Sequence, residues 1–439
     1  MAQTLKFGNK TWATKVGSTL AYNDENDNYK PLPFAFTRST SATRVNKEGL
    51  IEVVTNDRPR IDYTDSEDGV FLLEKAATNL IPYSEDFSNA AWDLFRASVT
   101  TENYLSPNGS SDVKNIIPNT LNDTHGIYDF VSASSGTYTS SVFLKENGYN
   151  FACVRISVDG DTRRFSAVVD LTNGNVTSTD ATGSPTSTSF SVDDYGNGWF
   201  RLSVSCSHSS GLVYVTISPS LISNPTFSSS LPIFQGDGTS GVLVFGAMLE
   251  QNSVASSYIP TQGSATTRVA ETASGSGNSE VFNDSEGVLF VNHKPIINTT
   301  TNSSTTVNNG TANRVYIGNN TTDENLQFFM AVGGSSKINV LTPYPKNVYS
   351  KIAFSYKSGN SKGYVNGFQI FSDNVAFSDF STLNKLSFNN GASDTFKGSI
   401  KEVGYYDEVL TDLELETLTS YKSWSSMVNE LNLNIIYNG

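Results

Sequence analysis

The stretch "RLSVSCS", residues 201–207, decides the fold class because apolar and polar side chains alternate along it. Leu202, Val204 and Cys206 fall on one side of an extended chain, and the serines between them fall on the other. The stretch "FACVRISV", Phe151–Val158, alternates in the same way. A repeat of two residues is typical of a half-buried β-strand and does not fit a helix.

Strand-like runs of this kind recur between residues 80 and 260. Asn-Gly or Gly-Asn pairs at residues 147, 173 and 196 supply turns between them. The other runs are "TYTSSVFLK", "FSAVVDL", "LVYVTIS" and "GVLVFGAMLE". Many short antiparallel strands in succession predict a β-sandwich of the jelly-roll type.

A second set of strand candidates follows residue 280 and predicts a second sandwich. The eight candidates are "GVLFVNHK", "NRVYIGN", "LQFFMAV", "KINVL", "YSKIAFSYK", "GYVNGFQIF", "KLSFN" and "GSIKEVGYY". Between the two sets, residues 261–280 have the small, polar composition of a linker. The low-complexity stretch at residues 297–313 is predicted to be an exposed loop.

One helix is predicted near the C-terminus, from Thr411 to about Trp424. Thr411 and Glu414 have the Thr-x-x-Glu spacing of a capping box. An apolar side that begins at Leu415 would then pack against the edge of a sheet.

The length of 439 residues is too great for one ordinary core. We therefore predict an all-β protein with two consecutive β-sandwiches of the jelly-roll type, a small irregular N-terminal region before them and one short C-terminal helix. The predicted divisions are an attachment or wrapping region at 1–79, the sandwiches at 80–272 and 273–425, and a tail at 426–439.

The formal net charge of −14, from 29 Lys and Arg against 43 Asp and Glu, disfavours nucleic acid as a partner. The N-terminus lacks an apolar stretch, so no signal peptide is expected. The sequence also has no run of about 18 apolar residues, so we predict no membrane insertion.

The sequence carries few candidates for metal ligands. Cys153 and Cys206 are the two cysteines, and we predict two reduced, packed thiols, with a single bridge as the alternative. The three histidines lack zinc spacing. "NDENDN", residues 23–28, starts like a calcium loop but has Tyr29 where glycine is required, so a solvated turn is predicted. We predict no cofactor, while structural calcium held by scattered loop side chains remains an alternative and its ligands are unknown.

Aromatic residues cluster beside a turn in "DDYGNGWFR", residues 193–201. Tyr195 and Trp199 could stack on sugar rings, and Arg201 could bond sugar hydroxyls. These three residues are the candidate glycan-binding site. The alternative interpretation is that Trp199 opens a strand and packs in the core.

No pattern in the sequence marks a catalytic site. "GDGTSG", residues 236–241, has the Gly-x-Gly-x-x-Gly spacing of a dinucleotide site, but a strand-like run follows it, so a hairpin loop is predicted. A Gly-x-Ser-x-Gly nucleophile motif does not occur. We therefore name no catalytic residue and predict that the protein is not an enzyme.

Several stretches resemble known families. "LKFGNKTWATK", "PRIDYT" and "LLEKAATNLIPYSEDFSNAAW" look like a segment common in tailed-phage structural proteins, where it precedes a carbohydrate-binding-module-like jelly roll. "DYGNGWFRLSVS" and "FGAMLEQNSVASSYIPTQGSATTRVAE" resemble the closing half of that jelly roll. "GYVNGFQI" and "GSIKEVGYYDEVLTDLELETL" are similar to concanavalin- or laminin-G-like sandwiches.

The resemblance implies a bacteriophage virion component: a tail fibre, a head fibre or a capsid decoration protein, assembled in the host cytoplasm. It implies other virion proteins as partners and a homo-oligomer, with a trimer favoured. We predict adhesion to host-surface glycans. The alternatives are a purely architectural virion protein and a tail enzyme that degrades polysaccharide.

A short motif occurs twice, as "SATRV" at residues 41–45 and "SATTRV" at residues 264–269. The two copies flank the first sandwich, and chain segments that enter and leave a domain are often close. We predict that these segments run side by side, with Arg44 and Arg268 as structural anchors. The break between the sandwiches is placed at residue 272, and residues 256–261 are expected to be the last ordered piece of the first sandwich.

Overall fold

The computed structural model describes residues 4–8, 12–20, 32–296, 303–319, 325–343, 348–392, 395–431 and 433. Its contacts divide the chain into two compact units. Unit 1 consists of Met1–Thr40, Val54–Lys75 and Ala270–Gly439, and unit 2 consists of Ser41–Val53 and Ala76–Val269.

Within the described residues the chain forms 36 strands and two helices. The first strands are β1 (Leu5–Gly8), β2 (Ala13–Lys15), β3 (Ser18–Leu20), β4 (Phe34–Thr37), β5 (Ala42–Val45), β6 (Ile51–Val54), β7 (Arg60–Asp62), β8 (Val70–Leu73) and β9 (Ala77–Asn79). The next are β10 (Asp93–Phe95), β11 (Ala97–Asn103), β12 (Asp112–Pro118), β13 (Asn122–Thr124), β14 (Gly126–Ala133), β15 (Gly136–Asn147), β16 (Phe151–Val158), β17 (Arg163–Asp170), β18 (Val176–Thr182), β19 (Ser189–Asp194), β20 (Phe200–His208), β21 (Gly211–Ser220), β22 (Thr226–Ser228), β23 (Leu231–Gln235) and β24 (Gly241–Glu250). The last are β25 (Thr266–Arg268), β26 (Thr272–Ser274), β27 (Glu286–Pro295), β28 (Ser304–Asn308), β29 (Arg314–Asn319), β30 (Leu326–Val332), β31 (Ser335–Thr342), β32 (Ser350–Lys357), β33 (Ser361–Val365), β34 (Phe368–Asp373), β35 (Lys385–Ser387), β36 (Gly398–Tyr406), α1 (Asp412–Thr419) and α2 (Trp424–Glu430).

Unit 2 is a sandwich of two six-stranded antiparallel sheets, which fits the predicted jelly-roll type. The strand orders are β10-β14-β21-β16-β17-β18 and β11-β12-β24-β15-β20-β19. Leu202, Val204 and Cys206 all lie in the core of this unit, as their alternation predicts. Ser203 and Ser205, which lie between them, are also buried. The Ser205 hydroxyl donates to the carbonyl of Ser253, in the segment that follows β24, at 3.3 Å.

Unit 1 is a second sandwich. An eight-stranded sheet, β34-β33-β32-β27-β36-β8-β7 with β1 also on β36, packs against the five-stranded sheet β31-β30-β29-β28-β35. Phe354 of the first sheet meets Phe328 of the second edge to face, with ring centres 5.6 Å apart. The all-β fold class is therefore confirmed. None of the helices in the described part of the chain is long and apolar enough to cross a membrane.

The residues of the predicted attachment or wrapping region at 1–79 are divided between the two units. Strands β1, β7 and β8 extend the eight-stranded sheet of unit 1, and residues 41–53 belong to unit 2. The physical reason is that strands of three or four residues cannot bury a core alone and gain hydrogen bonds by joining existing sheets. The C-terminal boundary of unit 2, at residue 269, lies close to the predicted break at 272.

Two stretches predicted to be a linker and an exposed loop contain strands instead. Residues 261–280 hold β25 and β26, and Arg268 and Glu271 are buried there. In the predicted loop at 297–313, β28 is wholly buried between β29 and β35, while residues 297–302 lie outside the described residues. Composition misled in both cases because a Ser/Thr-rich segment can pair its backbone with a neighbouring strand as well as an apolar one can.

The predicted helix ends early and a second helix follows it. Thr411 caps α1 and forms the expected capping box with Glu414, whose carboxylate accepts from the Thr411 backbone at 2.8 Å. The helix ends at Thr419 rather than at Trp424. Ser423 caps α2, so each short helix has its own N-terminal cap.

The repeated motif takes two separate pairings. β5 pairs with β6 and β25 pairs with β9, so the copies themselves are not neighbours in these ladders. The adjoining strands β4 and β26 do run side by side in unit 1, with Phe36 opposite Ala273. Arg44 forms an ion pair with Glu52 at 2.6 Å, and Arg268 donates to Ser257 Oγ at 2.8 Å. Both arginines thus make local contacts, each beside its own copy of the motif.

Candidate functional site

The outer face of the sheet β10-β14-β21-β16-β17-β18 in unit 2 carries rings and arginines in two adjacent rows. Strand register sets the rows, because residues paired across neighbouring strands point to the same side. One row runs Tyr128, Thr216, Arg155, Ser166, and the next runs Phe130, Tyr214, Ser157, Arg164. We call Tyr128, Phe130, Tyr214, Arg155, Arg164 and the neighbouring Asp161 the ring-and-arginine face.

The three rings form a continuous aromatic surface. The ring centres of Phe130 and Tyr214 are 5.2 Å apart, and those of Tyr128 and Tyr214 are 6.2 Å apart. Phe130 is 42% exposed, which is unusual for a side chain of this size on a central strand. Burial, together with the charge of Asp93, raises the pKa of Tyr128, so its hydroxyl stays a hydrogen-bond donor at all physiological pH values.

Asp161 lies between the two arginines. Arg164 Nε and one terminal nitrogen each lie 2.9 Å from its two carboxylate oxygens, which is a bidentate pair. A terminal nitrogen of Arg155 lies 3.8 Å from the same carboxylate. Burial alone would raise the pKa of Asp161, but the hydrogen bond from Arg164 and the charge of Arg155 hold it below its ordinary value. The Asp161 carboxylate therefore stays ionised and accepts hydrogen bonds, and the two arginines beside it donate them.

Two hydrogen bonds fix the position of the Arg155 guanidinium. Its terminal nitrogens donate to Thr216 Oγ1 at 3.1 Å and to the carbonyl of Ser229 at 2.8 Å. Burial lowers its pKa, although the nearby Asp161 opposes this shift. Arg155 is 8% exposed, so its guanidinium is fixed before any ligand arrives.

Two loops bound the ring-and-arginine face. The hairpin β22–β23 covers the neighbouring row of the sheet, where Leu231 packs on Cys153 and Val168. On the other side the turn between β16 and β17 places Asp159 and Asp161 at φ values of 55° and 68°. Asp159 holds this turn by accepting from the backbone of Ser209 and Ser210 (2.7 and 3.1 Å). The face is thus a bordered, preformed surface rather than a flat one.

The predicted glycan-binding residues lie on the other sheet of unit 2. Trp199 is 1% exposed and donates to the carbonyl of Leu105 at 2.8 Å, so it packs in the core as the alternative interpretation had it. Arg201 is 2% exposed and donates to the carbonyl of Ser256 at 2.7 Å. Tyr195 meets Phe143 edge to face, with ring centres 4.7 Å apart. In this conformation Trp199 and Arg201 offer almost no surface to a ligand, and their glycan binding stays a prediction.

A second cluster of rings and polar groups lies on the five-stranded sheet of unit 1. Tyr316 and Phe329 are stacked with centres 5.1 Å apart, and the guanidinium of Arg314 lies over both rings. Gln327 accepts from the Tyr316 hydroxyl and donates to Asn339 Oδ1 at 2.7 Å. Tyr316 is 7% exposed, so its ring is much less available than that of Phe130.

Other sequence candidates have structural roles. Cys153 and Cys206 are free and buried, as predicted, and burial raises the pKa of Cys153 to about 12. The stretch "GDGTSG" forms the loop between β23 and β24, and Asp237 in it accepts from the backbone of Thr239 and Ser240. Within the residues that the structure describes, no cluster of three or more His, Cys, Asp or Glu could hold a metal ion. The calcium-like stretch at residues 23–28 lies outside them.

Comparison with known proteins gives one family match and several solved structures of low similarity. No curated protein matches the chain. Among solved structures, the CBM40 of Ruminococcus gnavus IT-sialidase bound to α2,3-sialyllactose is 16% identical over 34% of this chain and 94% of that one, with a TM-score of 0.28. Domain 4 of the arabinanase AbnA from Geobacillus stearothermophilus, in complex with arabinotriose, is 19% identical over 38% and 84%, with a TM-score of 0.28.

A putative carbohydrate-binding protein from Bacteroides ovatus is 12% identical over 68% of this chain and 80% of that one, with a TM-score of 0.26. Identities and TM-scores this low say nothing about the ligands of this chain. The family match is more specific, because residues 294–416 match the model described as the Concanavalin A-like lectin/glucanases superfamily. This match agrees with the resemblance of the C-terminal stretches to concanavalin- or laminin-G-like sandwiches.

Proposed function

We propose that the protein binds glycans through the ring-and-arginine face of unit 2 and does not cleave them. The observation that carries this proposal is the two rows of side chains, which set the exposed ring of Phe130 and the half-buried rings of Tyr128 and Tyr214 next to a fixed Arg–Asp–Arg group. Sugar rings offer an apolar face of C–H groups and an edge of hydroxyls. The C–H face can stack on the rings of Phe130 and Tyr214, and the hydroxyls can form hydrogen bonds with the charged group.

The charged group adds specificity to the stacking. Asp161 accepts hydrogen bonds from sugar hydroxyls, and the remaining N–H groups of Arg164 donate to them. Both side chains are already paired, so binding costs little ordering entropy. A single site of this kind binds weakly, and several copies on one particle would raise the overall affinity.

A glycan array tests the binding directly. The full chain, presented as a multimer, is expected to bind one group of related glycans above the background of unrelated ones. A multimer that binds none of the glycans would contradict the proposal.

Absence of cleavage is tested separately. We expect that incubation with a polysaccharide recognised on the array leaves its chain length unchanged. Shortening of the polysaccharide, or release of reducing ends, would instead support the enzyme alternative.

We further propose that the binding serves adhesion of a phage particle to its host, as a fibre or decoration protein. Support comes from the N-terminal stretches that resemble tailed-phage structural proteins. Gold-labelled antibodies against the chain, viewed by electron microscopy, are expected to mark a fibre or the capsid surface. Absence of label on the particles would contradict the virion role and would leave the glycan-binding proposal unaffected.

A further inference from the structure

A cleft of about 630 Å³ opens in unit 1 on the outer face of the eight-stranded sheet, beneath the two helices. Its floor is formed by one row of the sheet, in which Asn292 of β27 is paired with Lys351 on one side and Glu402 on the other. Residues of α1, α2 and the turn between them form the opposite wall. This volume lies in the range of small-ligand sites, which is about 300–1,000 Å³.

Asn292 is the central polar group of the floor. Its side chain lines the cleft and is 6% exposed. Among the described residues, none donates a hydrogen bond to its Oδ1 atom. A buried amide oxygen without a donor costs about 1–3 kcal/mol, so its retention beside a cleft points to a donor supplied by a ligand.

Two lysine ammonium groups line the same cleft. Lys351 Nζ donates to the carbonyl of Ser420 at 3.1 Å and lies 4.9 Å from the ring centre of Tyr421. Lys401 Nζ lies over the ring of Tyr349 at 4.1 Å and 3.9 Å from the carboxylate of Glu430. Burial lowers the pKa of Lys401, and the nearby Lys351 adds to this effect while Glu430 opposes it.

The charges of the lining balance. Four lysines and four carboxylates face the cleft, together with the rings of Phe290, Tyr406 and Tyr421. A ligand with a single charge would meet as many repelling as attracting groups. A hydroxyl both donates and accepts, so one hydroxyl can satisfy Asn292 Oδ1 and accept from a lysine at the same time.

We propose that this cleft binds a neutral, polyhydroxylated ligand of one or two sugar rings. The site is independent of the ring-and-arginine face, because all the residues that line it belong to unit 1. A free sugar and the end of a glycan chain share this chemistry.

Lysine acylation measured by peptide mass spectrometry tests the cleft at residue level. The full chain is acylated with and without lactose or N-acetylglucosamine, and the rates at Lys351 and at the exposed Lys47 are compared. At about four times its Kd the sugar is expected to slow acylation of Lys351 by about fivefold, because about one fifth of the sites remain free. The rate at Lys47, which lies in unit 2, should not change.

Two variants separate this site from the other one. Asn292→Leu is expected to abolish the protection of Lys351 while circular dichroism and the melting temperature confirm the fold. Phe130→Ala should leave the protection of Lys351 intact. Loss of glycan binding at the ring-and-arginine face can therefore be distinguished from loss of sugar binding in the cleft. Unchanged rates with both sugars, equal protection in Asn292→Leu, or protection only by the anionic N-acetylneuraminic acid would each overturn the proposal.

Discussion

At the scale of single residues, the polar side chains with most effect on stability are those buried with their partners. In unit 1, Glu271 accepts from Arg38 at 2.7 Å, from Arg60 Nε at 2.8 Å and from the backbone of Glu74 at 2.9 Å. Burial alone would lower the pKa of Arg60, but the charges of Glu271 and Glu74 raise it above its ordinary value. Glu271 lies two residues after the second copy of the repeated motif, so a stretch with linker composition contains part of a structural ion cluster.

Removal of the Glu271 charge should destabilise unit 1 strongly. Glu271→Gln removes the charged group that lies 2.7 Å from Arg38 and also pairs with Arg60. We expect a loss of about 3–5 kcal/mol in the free energy of unfolding, measured by urea denaturation. Glu280→Gln, at an exposed position of the same unit, is the control and should change little. A loss below about 1 kcal/mol for Glu271→Gln would contradict the role of the cluster.

Asp129 predicts a pH dependence for unit 2. Burial raises its pKa from 3.8 to about 6, the backbone N–H of Phe130 partly opposes this shift, and the charge of Asp93 adds to it. Because the folded state disfavours the carboxylate, this residue costs no stability below pH 3.8. Its cost grows as the pH rises from 3.8 to about 6 and is constant above that.

Asp129→Asn should remove this cost. We expect the variant to be more stable than the wild type at neutral pH by about 1–3 kcal/mol, and to lose the advantage near pH 3.5. Melting temperatures across this pH range measure the effect, with the exposed Asp112→Asn as the control. An advantage that does not depend on pH would show that titration of Asp129 is not the cause.

At the scale of elements, alternation predicts strands but not their neighbours. In "FACVRISV" the sequence shows that Arg155 and Ser157 point away from the core. It does not show that Tyr214 is paired with Ser157 and Phe130, since register depends on long-range contacts. The rings of the ring-and-arginine face come from two strands, β14 and β21, and only their pairing brings the site together. The turn-side cluster at residues 193–201 was the more visible signal, but Trp199 and Arg201 in it are buried.

Helix capping was predictable because it is local. Thr411→Ala removes the side chain that accepts from the backbone of Glu414, at 3.3 Å. We expect a loss of about 1 kcal/mol in the stability of unit 1, measured by thermal denaturation. Thr417→Ala, on the exposed side of the same helix, is the matched control. An equal loss in both variants would mean that helix propensity, rather than the cap, accounts for the change.

At the scale of the whole molecule, the all-β class and the number of sandwiches follow from the sequence, while the assignment of segments to units does not. Each unit gathers pieces that are distant in sequence, as β4 and β26 show in unit 1. Such pairings leave no periodic signal, because each strand is only three or four residues long. Residues 294–416 of unit 1 match the Concanavalin A-like lectin/glucanases superfamily model, and unit 2 carries the ring-and-arginine face.

Calorimetric titration of a glycan identified on the array tests the central claim most directly, with wild type and two variants of the full chain. Phe130→Ala removes the most exposed ring of the face, and we expect Kd to rise about tenfold, or about 1.4 kcal/mol. The control Phe190→Ala removes an equally exposed ring, 49% exposed, from the other sheet of unit 2 and should bind as the wild type does. An unchanged Kd for Phe130→Ala, or an equal loss in Phe190→Ala, would contradict the account.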